Sequence, residues 1–137
     1  MTGQTDTMKF KIHYYFPEFV CIETKGPASV DGFERLVSTL IQHPRWRTGS
    51  DMLLDHRKLE MKDLNYTEML QITAVVRKHS DQLGRGRCAF VIQDKLGLGL
   101  SRMYGLLAGD ALHAATAVFF QIDQAEKWLY GGRKAPV

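Results

Sequence analysis

Residues 9–16 alternate, with Phe10, Ile12, Tyr14 and Phe16 apolar and Lys9, Lys11, His13 and Tyr15 between them. A period of two predicts a strand with one buried face, as at a sheet edge. Pro17-Glu18 interrupts it, and Phe19 to Thr24 follows at hairpin distance, which predicts an antiparallel pair. Gly26-Pro27 ends that unit. The period then lengthens. Val30, Phe33, Val37, Leu40 and Ile41 share one face of a helix that Ser29 or Asp31 can cap, with Glu34 at capping-box spacing from Asp31 and Pro44 beyond the end. Arg45 to Ser50 reads as a polar connection onto which Trp46 folds back.

Met52-Leu53-Leu54 runs without a break and stops at Asp55-His56-Arg57, the pattern of a buried central strand whose polar end lies at the sheet rim. Lys58 to Asn65 reads as a loop anchored by Leu59, Met61 and Leu64. Met69, Ile72, Val75, Val76, His79 and Leu83 mark a second helix, ended by Gly84. Cys88-Ala89-Phe90-Val91-Ile92 is apolar on both faces, as a central parallel strand is. After Gln93-Asp94-Lys95, Gly97-Leu98-Gly99 opens a third helix with Leu100, Met103, Tyr104, Leu107 and Ala111 inward. Gly105 and Gly109 would admit a close neighbour, or Gly109 would end the helix. Thr116 to Ile122 is the last strand. Asp123 and Glu126 have capping-box spacing before a short helix that buries Ala125, Trp128 and Leu129.

The order β-β-α-β-α-β-α-β-α predicts one α/β domain over residues 8–130, with a mixed, mostly parallel five-stranded sheet and four helices. Residues 1–7 and 131–137 read as flexible ends. Parallel neighbours require right-handed crossovers, so consecutive pairing would put every crossover helix on one face. The inner strands are nevertheless apolar on both. Either the strand order reverses, or a second copy covers the open face and the protein is a homodimer.

Composition narrows the class only slightly. The 137 residues are 45% apolar and 24% charged, ordinary for a globular domain. The net charge of +3 is small, and lysines and arginines are mixed with carboxylates, so no nucleic-acid partner is expected. No apolar run approaches bilayer length and no signal-peptide core follows a basic start, which predicts a cytoplasmic protein without a membrane partner. Cys21 and Cys88 sit in apolar strand patterns, as buried thiols do in a reducing compartment. Spacing alone leaves a bridge between them open.

Ligands of open parallel sheets collect beyond the carboxyl ends of the strands. That rim would gather Asp55, His56, Arg57, Asp94 and Lys95, with Gly97, Gly99, Ser101 and Arg102 at the start of the third helix. Gly97-x-Gly99 could offer backbone amides to an anion, but it lacks the third glycine of a dinucleotide fingerprint. A tight turn explains it equally well. Asp55 beside His56 suggests an acid–base pair, yet adjacent residues of a strand face opposite ways. On that view Asp55 holds loop amides and His56 is solvated. The five histidines have no metal-ligand spacing, Ser101 has no nucleophile turn around it, and no cofactor is expected. Tyr66, Tyr104 and Trp128 fall on inner stripes and read as core.

Leu53-Leu54-Asp55, the loop and helix after it, Cys88 to Ile92, Gly99-Leu100-Ser101-Arg102-Met103-Tyr104 and Ala125-x-x-Trp128-Leu129 resemble the STAS/SEC14-like family. Its namesake is the SpoIIAA anti-sigma-factor antagonist of sporulation. The resemblance covers roughly residues 8–130. It implies a small α/β domain that acts by binding a partner. In regulatory members a serine that follows an aspartate after the central strand is phosphorylated. Here that stretch reads Asp63-Leu64-Asn65-Tyr66: Asp63 fits, no serine follows, and the resemblance carries no serine switch over to this chain. The expected function is therefore a non-enzymatic interaction or regulatory domain that uses the Asp55–Tyr66 and Lys95–Arg102 rim. The alternative is a sensor of an anionic or apolar metabolite at that rim. An enzyme using Asp55, His56 or Asp94 ranks third.

Overall fold

Parallel strands need apolar residues on both faces and a helix between each pair, and the chain supplies both. In the computed structural model, which describes residues 7–15 and 18–131, the strands are β1 (Lys9–Tyr15), β2 (Phe19–Pro27), β3 (Asp51–Glu60), β4 (Cys88–Val91) and β5 (Thr116–Phe119). The helices are α1 (Val30–Gln42), α2 (Tyr66–Lys78), α3 (Ser80–Leu83), α4 (Lys95–Leu112) and α5 (Ile122–Gly131). The proposed flexible ends at residues 1–6 and 132–137, and the Phe16-Pro17 boundary of the first strand, lie outside the described residues.

The sheet order is β1-β2-β3-β4-β5. β1 and β2 are antiparallel and the other pairs are parallel. Each strand lies beside its predecessor, so α1, α2 and α4 share one face. Leu36, Val37 and Leu40 of α1, Met69, Ile72 and Val76 of α2, and Leu100 and Tyr104 of α4 pack there over Val20, Ile22, Met52, Leu54 and Phe90. Of the two expected ways of covering the other face, reversal of the strand order is not used. α5, free of the crossover rule because no strand follows it among the described residues, folds under the sheet and sets Ala125 and Leu129 against Leu53, Ala89 and Val91.

Four boundaries differ from the periodicity, the simplest being β5, which ends at Phe119 and not at Ile122, the first residue of α5. β3 does not end at Asp55-His56-Arg57 but continues to Glu60, because β2 also runs on and pairs Lys25 with Lys58, Gly26 with Leu59 and Pro27 with Glu60 across a bulge. Helix α2 stops at Lys78, with α3 as a separate turn, so the described residues form five helices and not four. Helix α4 begins at Lys95 and breaks at Gly109, whose φ of 56° only glycine adopts easily. Gly105 lies within the unbroken part, where a Cβ would stand 2.8 Å from Thr116 Oγ1, so the close approach to β5 requires it.

The caps show how local chemistry sets the ends. Ser29, rather than Asp31, accepts the Gly32 amide at 2.9 Å, leaving Asp31 to pair with Arg35. A capping box that the periodicity does not reveal joins Asn65 and Glu68 at the start of α2. Asp123 lies in the first turn of α5 rather than ahead of it. Trp46 does fold back, buried, with its indole N–H donating to Gln82 O at 2.8 Å. Cys21 and Cys88 are free, and they face opposite ways: Cys21 packs with the α5 cluster and Cys88 with the crossover-helix core, so no bridge can join them. Among the described residues no helix is long and apolar enough to cross a membrane.

Candidate functional site

Strand alternation separates Asp55 from His56. Asp55 holds the Arg57 side chain in a two-point contact, Oδ1 to Nε and Oδ2 to Nη2, both at 2.9 Å, and also accepts the Arg57 amide. Burial works to raise its carboxyl pKa, but the hydrogen bonds and charge of Arg57 outweigh that and hold it below the usual value. Of the expected backbone amides Asp55 accepts one, that of Arg57, and the Arg57 side chain supplies its other partners.

His56 points the other way and is buried, not solvated. Its ring stacks on Phe90 at 5.8 Å and meets the edge of Phe33 at 5.9 Å. Nδ1 lies 2.6 Å from Thr24 Oγ1, which is also 3.2 Å from Asp55 O. A hydroxyl has one proton. If Thr24 gives it to the carbonyl, it accepts from Nδ1–H, and Nε2 becomes the bare acceptor. Nε2 has no hydrogen bond among the described residues. Burial pushes the ring pKa down to about 4, against a smaller upward pull from Asp55, so His56 is neutral at pH 7.

His56 belongs to a wall of rings. Phe90 meets Tyr104 edge-on at 5.6 Å, and the Tyr104 hydroxyl lies 2.6 Å from His113 Nε2. Burial raises the Tyr104 pKa and pushes that of His113 down to about 4. His113 Nδ1 is buried and has no hydrogen-bond partner among the described residues. These rings, with Ser101, Cys88 and apolar side chains of α1, α2 and α4, enclose a cavity of about 90 Å3 between the sheet and the crossover helices. That is several times the ~10–15 Å3 one water needs on this scale, and the lining is almost wholly apolar.

His56 also lines a second space, an open groove of about 250 Å3 at the rim, with Arg57, Lys62, Gln93, Asp94 and Gly97. The structure therefore brings His56, Arg57, Asp94 and Gly97 together at the rim. It does not bring Asp55, Asp63, Tyr66, Lys95, Gly99, Ser101 or Arg102 into that groove. Asp63 is exposed in the turn before α2, and Tyr66, expected on an inner stripe, is 57% exposed as the first residue of α2. Ser101 is buried and faces the internal cavity. Lys95, Gly99 and Arg102 are exposed on α4, and Arg102 makes no ion pair among the described residues.

The anion reading of Gly97-x-Gly99 is corrected as well. Asp94 is the N-cap of α4, and its carboxylate already accepts the Gly97 amide at 2.9 Å. A negative charge sits where the anion would go. Trp128, expected in the core, is half-buried beneath the Arg87 guanidinium, 3.9 Å from its ring centre. The described residues contain no group of three or more side chains placed to hold a metal.

Helices α1, α2 and α4 on one face of a mixed five-stranded sheet, with α5 beneath it, make up a SpoIIAA-like fold. A solved structure shares it: an uncharacterised DUF3478-family protein with a SpoIIAA-like fold from Shewanella loihica PV-4, 15% identical, with a TM-score of 0.62 over 94% of this chain and 98% of that one. No family model and no curated protein matches the sequence.

Proposed function

We propose that this SpoIIAA-like domain works by binding and not by catalysis, and that it takes a small, neutral, mostly apolar ligand in the cavity between the sheet and α1, α2 and α4. The observation that carries this is the cavity itself, walled almost wholly by apolar side chains together with the neutral His56, Tyr104 and His113 rings. Its lining, apolar with a few polar groups, is that of a small-molecule site, and its volume of about 90 Å3 limits the ligand to a few heavy atoms. The polar groups on its wall are held neutral, so the apolar half of the expected metabolite class fits and the anionic half does not: a charge without a counter-ion is expelled from such surroundings.

Calorimetric titration with 1-propanol and with propionate, both small enough for a space of about 90 Å3, separates these classes. Saturable binding of the alcohol, weak or absent binding of the carboxylate, and loss of alcohol binding in Val76→Phe, which fills the cavity, are the expected results. Equal binding of both compounds, or no saturable heat from the alcohol, overturns the reading. Saturation also raises the melting temperature, since a ligand at about a hundred times its Kd adds about 3 kcal/mol.

A second reading, the interaction or regulatory domain expected from the resemblance, is favoured by Leu96 on α4, a large apolar side chain left exposed in the rim groove. A partner that docks there would be retained by the wild type and lost by Leu96→Glu in a pull-down from the native cell extract. Recovery of the same proteins by both would remove support for the rim.

A further inference from the structure

The strand register aligns three lysines in one row across the sheet: Lys9 on β1 pairs with Lys25 on β2, which pairs with Lys58 on β3. Strands lie about 4.8 Å apart, and Lys11 follows Lys9 along β1 at about 6.8 Å, so four ammonium groups crowd a small area. With Glu23 and Arg35 they line an open cleft of about 520 Å3. None of the four lysines makes an ion pair among the described residues, whereas Glu23 is engaged by His13 and Arg35 by Asp31. Like charges directly opposite each other destabilise a sheet. Lys9 and Lys11 on the edge strand deter pairing with any segment that does not set acidic side chains opposite them. Lys25 and Lys58 stand on interior strands, where no such guard is needed.

The other side of β1 is different. Phe10, Ile12 and Tyr14 border an open groove of about 540 Å3 shared with Thr39, His43 and Arg45. Between the two spaces runs the outer edge of β1, whose backbone groups bond to no other segment than β2 among the described residues. We propose that this edge is a docking site for an extended protein segment that alternates acidic and apolar residues. Added as a strand beside β1, its acidic side chains would recur every second residue, about 6.8 Å apart, and match Lys9 and Lys11, with Lys25 and Lys58 adding attraction from behind. Its apolar side chains would enter the Phe10–Tyr14 groove. A nucleic acid would use the lysines and leave that groove empty, so a protein strand fits more of the surface. The site is independent of the internal cavity.

Fluorescence anisotropy with a labelled Glu-Val-Glu-Ile-Glu-Val-Glu peptide tests it. The alternating peptide is expected to bind about tenfold more tightly than the block peptide Glu-Glu-Glu-Glu-Val-Ile-Val of equal composition and charge, and Lys9→Gln/Lys11→Gln, which removes the two charges beside the added strand, should lose about tenfold. The Thr39→Lys variant should also weaken binding, and Lys25→Gln/Lys58→Gln should melt at a higher temperature than wild type, because the cross-strand repulsion is gone. Equal affinity for the two peptides, tighter binding of oligothymidylate, or no anisotropy change overturns the proposal. So does a wild-type dimer in sedimentation that Thr39→Lys splits, since the edge would then belong to a second copy.

Discussion

Acidification from pH 7 to about pH 4 is expected to remove about 6 kcal/mol of folding stability, enough to unfold a domain of ordinary stability. The source is the pair of buried histidines. Both titrate near 6.5 in the unfolded chain and at about 4 in the folded one, where burial disfavours the imidazolium. At pH 7 both are neutral in both states and contribute no pH dependence. As the pH falls below about 6.5 the unfolded chain takes up protons first, and stability drops by about 1.4 kcal/mol per pH unit for each histidine until the folded form protonates too. Each therefore accounts for about 3 kcal/mol. Asp55, held low by Arg57, adds its loss only at the acid end of this range and beyond. Urea midpoints between pH 7 and about pH 4.5 measure the slope. His56→Gln and His113→Gln are each expected to halve it, whatever they do to stability at pH 7. A slope unchanged in both variants would show that other groups carry it.

Ala125→Asp is expected to destabilise the protein by about 3–5 kcal/mol, the effect of leaving a charge buried without a partner. Ala125 is fully buried in α5 among the apolar side chains of Leu53, Ala89, Val91 and Leu129, and Arg87, the cation packed against that helix, is already engaged by the Trp128 and Leu129 carbonyls and the Trp128 ring. This cluster is the smaller of the two cores and one helix supplies its whole cover, so the first response is loss of α5 from the sheet. Hydrogen exchange would read that directly, with α5 amides losing protection ahead of those in α1 and α2. Retained protection of α5 and an unchanged urea midpoint would contradict the assignment of α5 as the cover.

The alternation of Phe10, Ile12 and Tyr14 and the two-faced apolar runs at Leu53 and Phe90 made the strands, their faces and the parallel crossovers legible. What local pattern could not carry is where the sheet stops and what lies behind it. Asp55-His56-Arg57-Lys58 has the composition of a rim, yet the partner strand continues, and the chain stays extended with a neutralised histidine in its core. Strand order is likewise absent from periodicity, so the place of α5 behind an unreversed sheet was not legible. At the site, Ser101 and Tyr104 were visible as residues of one helix, the first as a rim candidate and the second on the inward stripe. His113 follows the break at Gly109, and no helical period crosses a break. The Gly97 amide was misjudged because a neighbouring carboxylate, Asp94, fills the place of the presumed anion.

Strand order that copies chain order has a consequence for synthesis. Each new ribbon can join the sheet as soon as it leaves the ribosome, without waiting for a distant segment to return. The rear surface, however, stays bare until residues 122–131 have emerged. A nascent chain stalled ahead of α5 would present Leu53, Ala89 and Val91 to water, a sticky plate that chaperones would recognise.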